Sequence, residues 1–162
     1  MPIRSVKCSL SFIAALMMAL PVVGQNKTVT RQCSPVGGTM ATNLAVIGKS
    51  TTMGTATGDL KGAVAATILN VTQNSDGTVS FTVQHHLVTE SGDTITFARA
   101  TALTMPLSAT RFAIIDYPVH INGGTGKYAN AIADLDSIGE VDLGSGQTVF
   151  RYTGKLCLAV GE

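Results

Sequence analysis

The chain has 162 residues, of which 45% are hydrophobic and only 5% aromatic, and its 11 basic side chains nearly balance its 10 acidic ones. That balance argues against an electrostatic footprint for nucleic acid or for an anionic membrane surface. Tryptophan is absent, so little is available to build a stacking platform for bases.

Arg4 and Lys7 precede an apolar run from Cys8 to Leu20. The run is too short to span a bilayer comfortably but suits the core of an export signal. Pro21 ends it, and the small residues Val22 and Gly24 suit a cleavage site. Residues 1–24 are therefore expected to be a signal peptide, with Gln25 starting the mature chain. The competing reading, a retained membrane anchor, sits less well with so short a core. No cysteine follows the core, which argues against a lipid-anchored start. The 138 residues that remain of the 162 suit one domain, 25–162. Arg4 and Lys7 leave with the signal, so nine of the 11 basic residues face 10 acidic ones and the mature net charge is near −1. The expected destination is secretion or the periplasm, with no membrane association after signal removal.

Cys8 goes with the signal, leaving Cys33 and Cys157 near the two ends of the mature chain. Two cysteines in an exported chain most often pair, and closing so long a loop contributes about 4–5 kcal/mol on the chain-entropy account. The alternative, a catalytic thiol, requires a histidine and an activating environment, and neither cysteine has a histidine beside it in sequence.

The rest reads as strands divided by turn residues. Residues 25–38 are expected to be an arm tied down by Cys33. Eight strands follow, at 40–49, 52–59, 61–73, 78–90, 94–105, 111–122, 128–142 and 148–158. Between them lie Asn74-Ser75-Asp76-Gly77, Ser91-Gly92-Asp93, Gly123-Gly124-Thr125-Gly126 and Gly144-Ser145-Gly146, residues that tolerate positive φ or cap a turn through a short polar side chain. Eight short-linked strands imply an all-β, antiparallel up-and-down barrel or a sandwich. Closure is favoured because Thr- and Val-rich strands with open edges would pair with other chains. Gly54, Gly58 and Gly62 are spaced to share one face of a continuous strand and let it bend.

The candidate site residues lie on the apolar faces. Val79, Phe81, Val83 and Leu87 alternate with polar neighbours, and His85 falls among them. The next strand puts Ile95, Phe97 and Leu103 on one face with Arg99 and Thr101. A turn with Gly92 at positive φ pairs Thr89 with Asp93, so His85 is expected opposite Phe97 and Val83 opposite Arg99. Val83, His85, Phe97 and Arg99 would then line one lumen, with His85 and Arg99 as candidate catalytic or ligand-orienting residues. The alternative leaves Arg99 at a barrel mouth and His85 as a satisfied core residue. His85 and His86 point to opposite faces of a strand, so no metal site is expected. Asp134, Asp136, Glu140 and Asp142 share parity with Ile132 and Ile138. They form either a solvated outer face or a source of one lumenal carboxylate beside Arg99, and Asp116 is a further candidate for that role. Asn26-Lys27-Thr28 and Asn70-Val71-Thr72 match the glycan-acceptor pattern, which arises often by chance.

Residues 119–143, VHINGGTGKYANAIADLDSIGEVDL, followed by TVFRYTGKLC at 148–157, resemble the allene oxide cyclase and dirigent-type β-barrel superfamily. The matching positions are Gly123, Gly124, Thr125, Gly126, Lys127, Tyr128, Gly139, Tyr152 and Gly154. The resemblance covers about 40 residues well, and its glycine-rich hairpin concerns fold rather than chemistry. It implies an eight-stranded antiparallel barrel with a hydrophobic lumen, an N-terminal to C-terminal disulfide like Cys33–Cys157, and assembly as a homo-oligomer, often a trimer. It also implies cofactor-independent guidance of ring closure or stereoselective coupling of a small hydrophobic ligand. The competing function is a non-catalytic extracellular binding or structural module.

Overall fold

The computed structural model describes residues 29–45 and 47–160. The expected signal peptide, its cleavage site and the Asn26 triplet lie outside the described residues. The described residues form ten strands: β1 (Arg31–Leu44), β2 (Thr51–Ala56), β3 (Gly62–Gln73), β4 (Val79–Thr89), β5 (Thr94–Phe97), β6 (Ala100–Pro106), β7 (Arg111–Asp116), β8 (Pro118–Gly124), β9 (Ile132–Asp142) and β10 (Gln147–Ala159). β5 and β6 are two halves of one course across the sheet, both pairing with β4. β7 and β8 are likewise two halves, both pairing with β9. Counted by course, the sheet is an eight-stranded antiparallel up-and-down barrel, closed by pairing of β1 with β10. Among the described residues, closure leaves no long free edge to recruit another chain.

Alternation builds the inside. Along β4, Val79, Phe81, Val83, His85, Leu87 and Thr89 are buried while the residues between them are not. The facing courses bring in Ile95, Phe97, Ile114, Val119, Ile121, Leu135 and Phe150, so one core fills the barrel. Cys33 and Cys157 are register partners on β1 and β10, and their disulfide ties the N-terminal region to the last strand. That region is already strand from Arg31 onward, because its backbone continues the β10 ladder as far as Ala159.

Two local expectations change. Gly54, Gly58 and Gly62 do not share one strand: β2 stops at Ala56, and a short 3-10 turn at Gly58–Leu60 precedes β3. Burial decides this, since Leu60 is fully enclosed at that end of the barrel. The Tyr152 hydroxyl fixes the corner by accepting from Leu60 N–H (2.9 Å) and donating to the Thr57 carbonyl (2.9 Å). Gly38 lies under this clasp, where a Cβ would collide with Tyr152 and with the Thr57 backbone. Tyr128 does not begin a strand. It is buried in a second 3-10 turn, Gly126–Tyr128, and β9 starts at Ile132. Gly126 there packs against the Asp93 carboxylate, while Thr125 Oγ1 accepts from Thr94 N–H at 2.8 Å. The Gly-Gly-Thr-Gly segment thus docks on the β4–β5 turn. In that turn Gly92 adopts φ +86°, and Thr89 N–H donates to Asp93 O at 2.8 Å.

Candidate functional site

Two bulges decide which side chains face inward. On β4 the three steps from Val83 to His86 are spanned by four on the neighbouring course, from Thr96 to Ala100. The extra residue falls at Ala98-Arg99. A one-residue slip reverses every later side chain. Ala100, Ala102 and Thr104 therefore point in, whereas Arg99 and Thr101 are exposed and Leu103 is half-buried. Arg99 is not a lumen residue and is not paired with Val83, whose register partner is Ala100. The polar patch expected from His85 and Arg99 together does not form.

The second bulge lies on the next course. Ile114 partners Gly139 and Pro118 partners Asp136, four steps against three. Ile115 and Asp116 both face outward, and Tyr117 turns in beside Val119. Strict alternation from Ile114 would have driven Asp116 into the core, where an unpaired carboxylate is costly. Asp134 and Asp136 are exposed, and Glu140 and Asp142 are half-exposed. Glu140 takes a bidentate bond from Arg111 (2.8 and 3.0 Å). Among the described residues no Asp, Glu, Lys or Arg is buried, so no lumenal carboxylate accompanies His85. His86 and His120 are exposed, the latter 2.6 Å from Asp134. Among the described residues no three His, Cys, Asp or Glu are grouped to hold a metal ion.

What the bulges do assemble is a buried pair. His85 Nε2 lies 3.0 Å from the Tyr117 hydroxyl. Around them stand Phe97, 5.6 Å from His85 between ring centroids, and Phe150, 6.1 Å from His85 and 5.8 Å from Tyr117. Val83 and Phe97 therefore share the interior with His85. Burial, aided by the nearby His86, lowers the His85 pKa from 6.5 to about 4, so the imidazole is neutral at physiological pH. Burial also pushes the Tyr117 phenol up, well beyond its ordinary range. The pair can exchange a hydrogen bond and polarise a neutral group, but it carries no charge.

A cavity of about 50 Å³ lies against this pair, lined by Phe81, Val83, Ala102, Ile114 and Phe150 among others. It faces the end of the barrel where Ile68, Val141 and Thr148 are partly exposed. A second cavity of about 10 Å³ lies deeper, between His85, Phe97, Leu135 and Ser137. His85 Nδ1 and Ser137 Oγ are both buried without a hydrogen-bonding partner. Neither Tyr117 nor Ser137 is among the candidate site residues to which the sequence alternation points. Tyr117 was hidden by the bulge, although the following Pro118, which cannot donate to a ladder, was a usable signal for a break there.

No protein-family model matches the chain, and no curated protein sequence matches it. Among solved structures, the chain is similar to the pterocarpan synthase dirigent protein GePTS1, at 15% identity and a TM-score of 0.37 over 90% of this chain and 100% of that one. It is also similar to the pterocarpan synthase dirigent protein PsPTS1, at 14% identity and a TM-score of 0.34 over 80% of this chain and 97% of that one. The closed eight-stranded antiparallel barrel, read from the strand register alone, is the architecture expected from the glycine-rich hairpin.

Proposed function

We propose that this is an exported barrel that holds a small apolar molecule in its open-ended cavity, with the His85–Tyr117 pair as the polar anchor. The observation that carries the reading is the cavity itself: an apolar space, open toward one barrel end, that terminates on a buried polar pair. Binding sites commonly have this form, apolar walls with a few placed polar groups. The disulfide suits an oxidising compartment. Any ring closure or coupling would come from confining a flexible ligand in one reactive shape, since the neutral His85 supplies a hydrogen bond and not a charge.

A second reading has an observation of its own. About 50 Å³ is far below the roughly 300–1,000 Å³ of a pocket for a drug-sized ligand. A barrel this full also suits a structural module. Ala102→Leu separates the two, because Ala102 lines the cavity and is buried. Ligand-observed NMR with small hydrocarbons and ketones should show saturable binding to the native protein and its loss in the variant. Absence of binding to the native protein favours the structural module.

A further inference from the structure

The hydrogen-bonding needs of the buried pair select one tautomer. A neutral imidazole has one N–H and one bare nitrogen. If His85 Nε2–H donated to Tyr117, the phenol O–H would lack an acceptor and Nδ1 would be a bare, unpaired acceptor. If the phenol donates to Nε2, the phenol O–H and Nε2 are both satisfied and the proton sits on Nδ1, which is then the one unmet donor. An unmet buried polar group costs about 1–3 kcal/mol, so the second arrangement wins.

The remaining donor has a neighbour in the same condition. Ser137 Oγ is buried without a partner, and His85 and Ser137 both border the deeper cavity of about 10 Å³. That volume is close to the roughly 10–15 Å³ needed by a single water-sized group. His85 also borders the larger apolar cavity, as does Phe150, so the imidazole lines both spaces. No charged side chain among the described residues is buried near them.

We propose that His85 Nδ1–H and Ser137 Oγ form a site, one oxygen atom in size, that receives the neutral carbonyl or hydroxyl oxygen of the molecule held in the barrel. This rests on the ligand-binding reading above and adds the ligand's chemistry: an apolar body with one neutral hydrogen-bond acceptor. A carboxylate is disfavoured because it would lose its hydration with no cation to meet it. A hydrocarbon is disfavoured because it leaves both polar groups unpaired.

Three probes of the same shape test this: acetone, isobutene and acetate. Nitrogen-15 NMR of the native protein should find the His85 proton on Nδ1. Acetone should move that signal saturably, isobutene should move only methyl signals of Val83 and Ile114, and acetate should move neither. Ser137→Ala should weaken acetone binding by roughly five- to tenfold and leave isobutene unaffected. A proton on Nε2, equal responses to acetone and isobutene, or a long-lived water that acetone fails to displace from the His85 ring each overturns the proposal. In the equal-response case the ligand-binding reading survives. If no probe reaches the barrel interior, that reading fails and the proposal goes with it.

Discussion

His85 and Tyr117 meet at 3.0 Å inside the barrel although 32 residues separate them in sequence. Neither could be buried cheaply alone. The contact exists because β4 keeps strict alternation while a bulge at Ile115-Asp116 resets the facing course. Tyr117→Phe removes the partner of His85 Nε2 and should destabilise by about 1–2 kcal/mol. Urea unfolding should show a lower midpoint at unchanged slope. Adding His85→Phe should recover part of the loss, since removing both partners leaves no buried group unmet. A double variant as unstable as the sum of the single ones would show that the two side chains are not coupled.

The protonation of His85 links stability to pH. Its pKa falls from 6.5 to about 4, chiefly by burial. Between those values the unfolded chain binds a proton that the folded chain refuses. The contribution is therefore fully present above about pH 6.5, declines as the pH falls, and is lost once the pH passes below about 4. The full effect is about 3 kcal/mol, at no more than about 1.4 kcal/mol per pH step of one. Unfolding midpoints at pH 7, 6 and 5 measure it before most carboxylates titrate. His85→Phe should flatten the curve; an unchanged slope would place the proton elsewhere.

Arg99 and Leu87 make opposite predictions about faces. Arg99 is exposed, so Arg99→Met should change stability by no more than about 0.5 kcal/mol. Leu87 is 1% exposed, so Leu87→Asp buries an unpaired carboxylate and should cost about 4 kcal/mol or more. Thermal melts of the two variants check both assignments, and a large loss at Arg99 would contradict the bulge.

The Cys33–Cys157 bridge spans 124 residues across the seam that closes the barrel. Replacing both cysteines with Ala should cost about 2–5 kcal/mol, read as a lower unfolding midpoint without loss of the strand signature in circular dichroism. Protein recovered from an exporting host should have the mass of a chain beginning at Gln25. It should offer no alkylatable thiol before reduction.

Period-two alternation, turn chemistry and cysteine placement are local properties. They are enough to determine, from the sequence alone, an all-β chain of eight courses, the inward face of β4, the turn at Gly92 and the two cysteines available to pair. The closeness of His85 to Phe97, whose ring centroids lie 5.6 Å apart, also follows from them, because a turn sets register for the few residues beside it. Register decays with distance from the turn. The extra residue at Ala98-Arg99 carries no local signal, and the one at Ile115-Asp116 has only the nearby Pro118 to mark it, yet each reverses parity for everything beyond. Only the closed sheet decided those positions. Without the bulges the barrel would have to bury the Arg99 guanidinium and the Asp116 carboxylate, and the low-dielectric interior penalises both far more than a local distortion of the ladder.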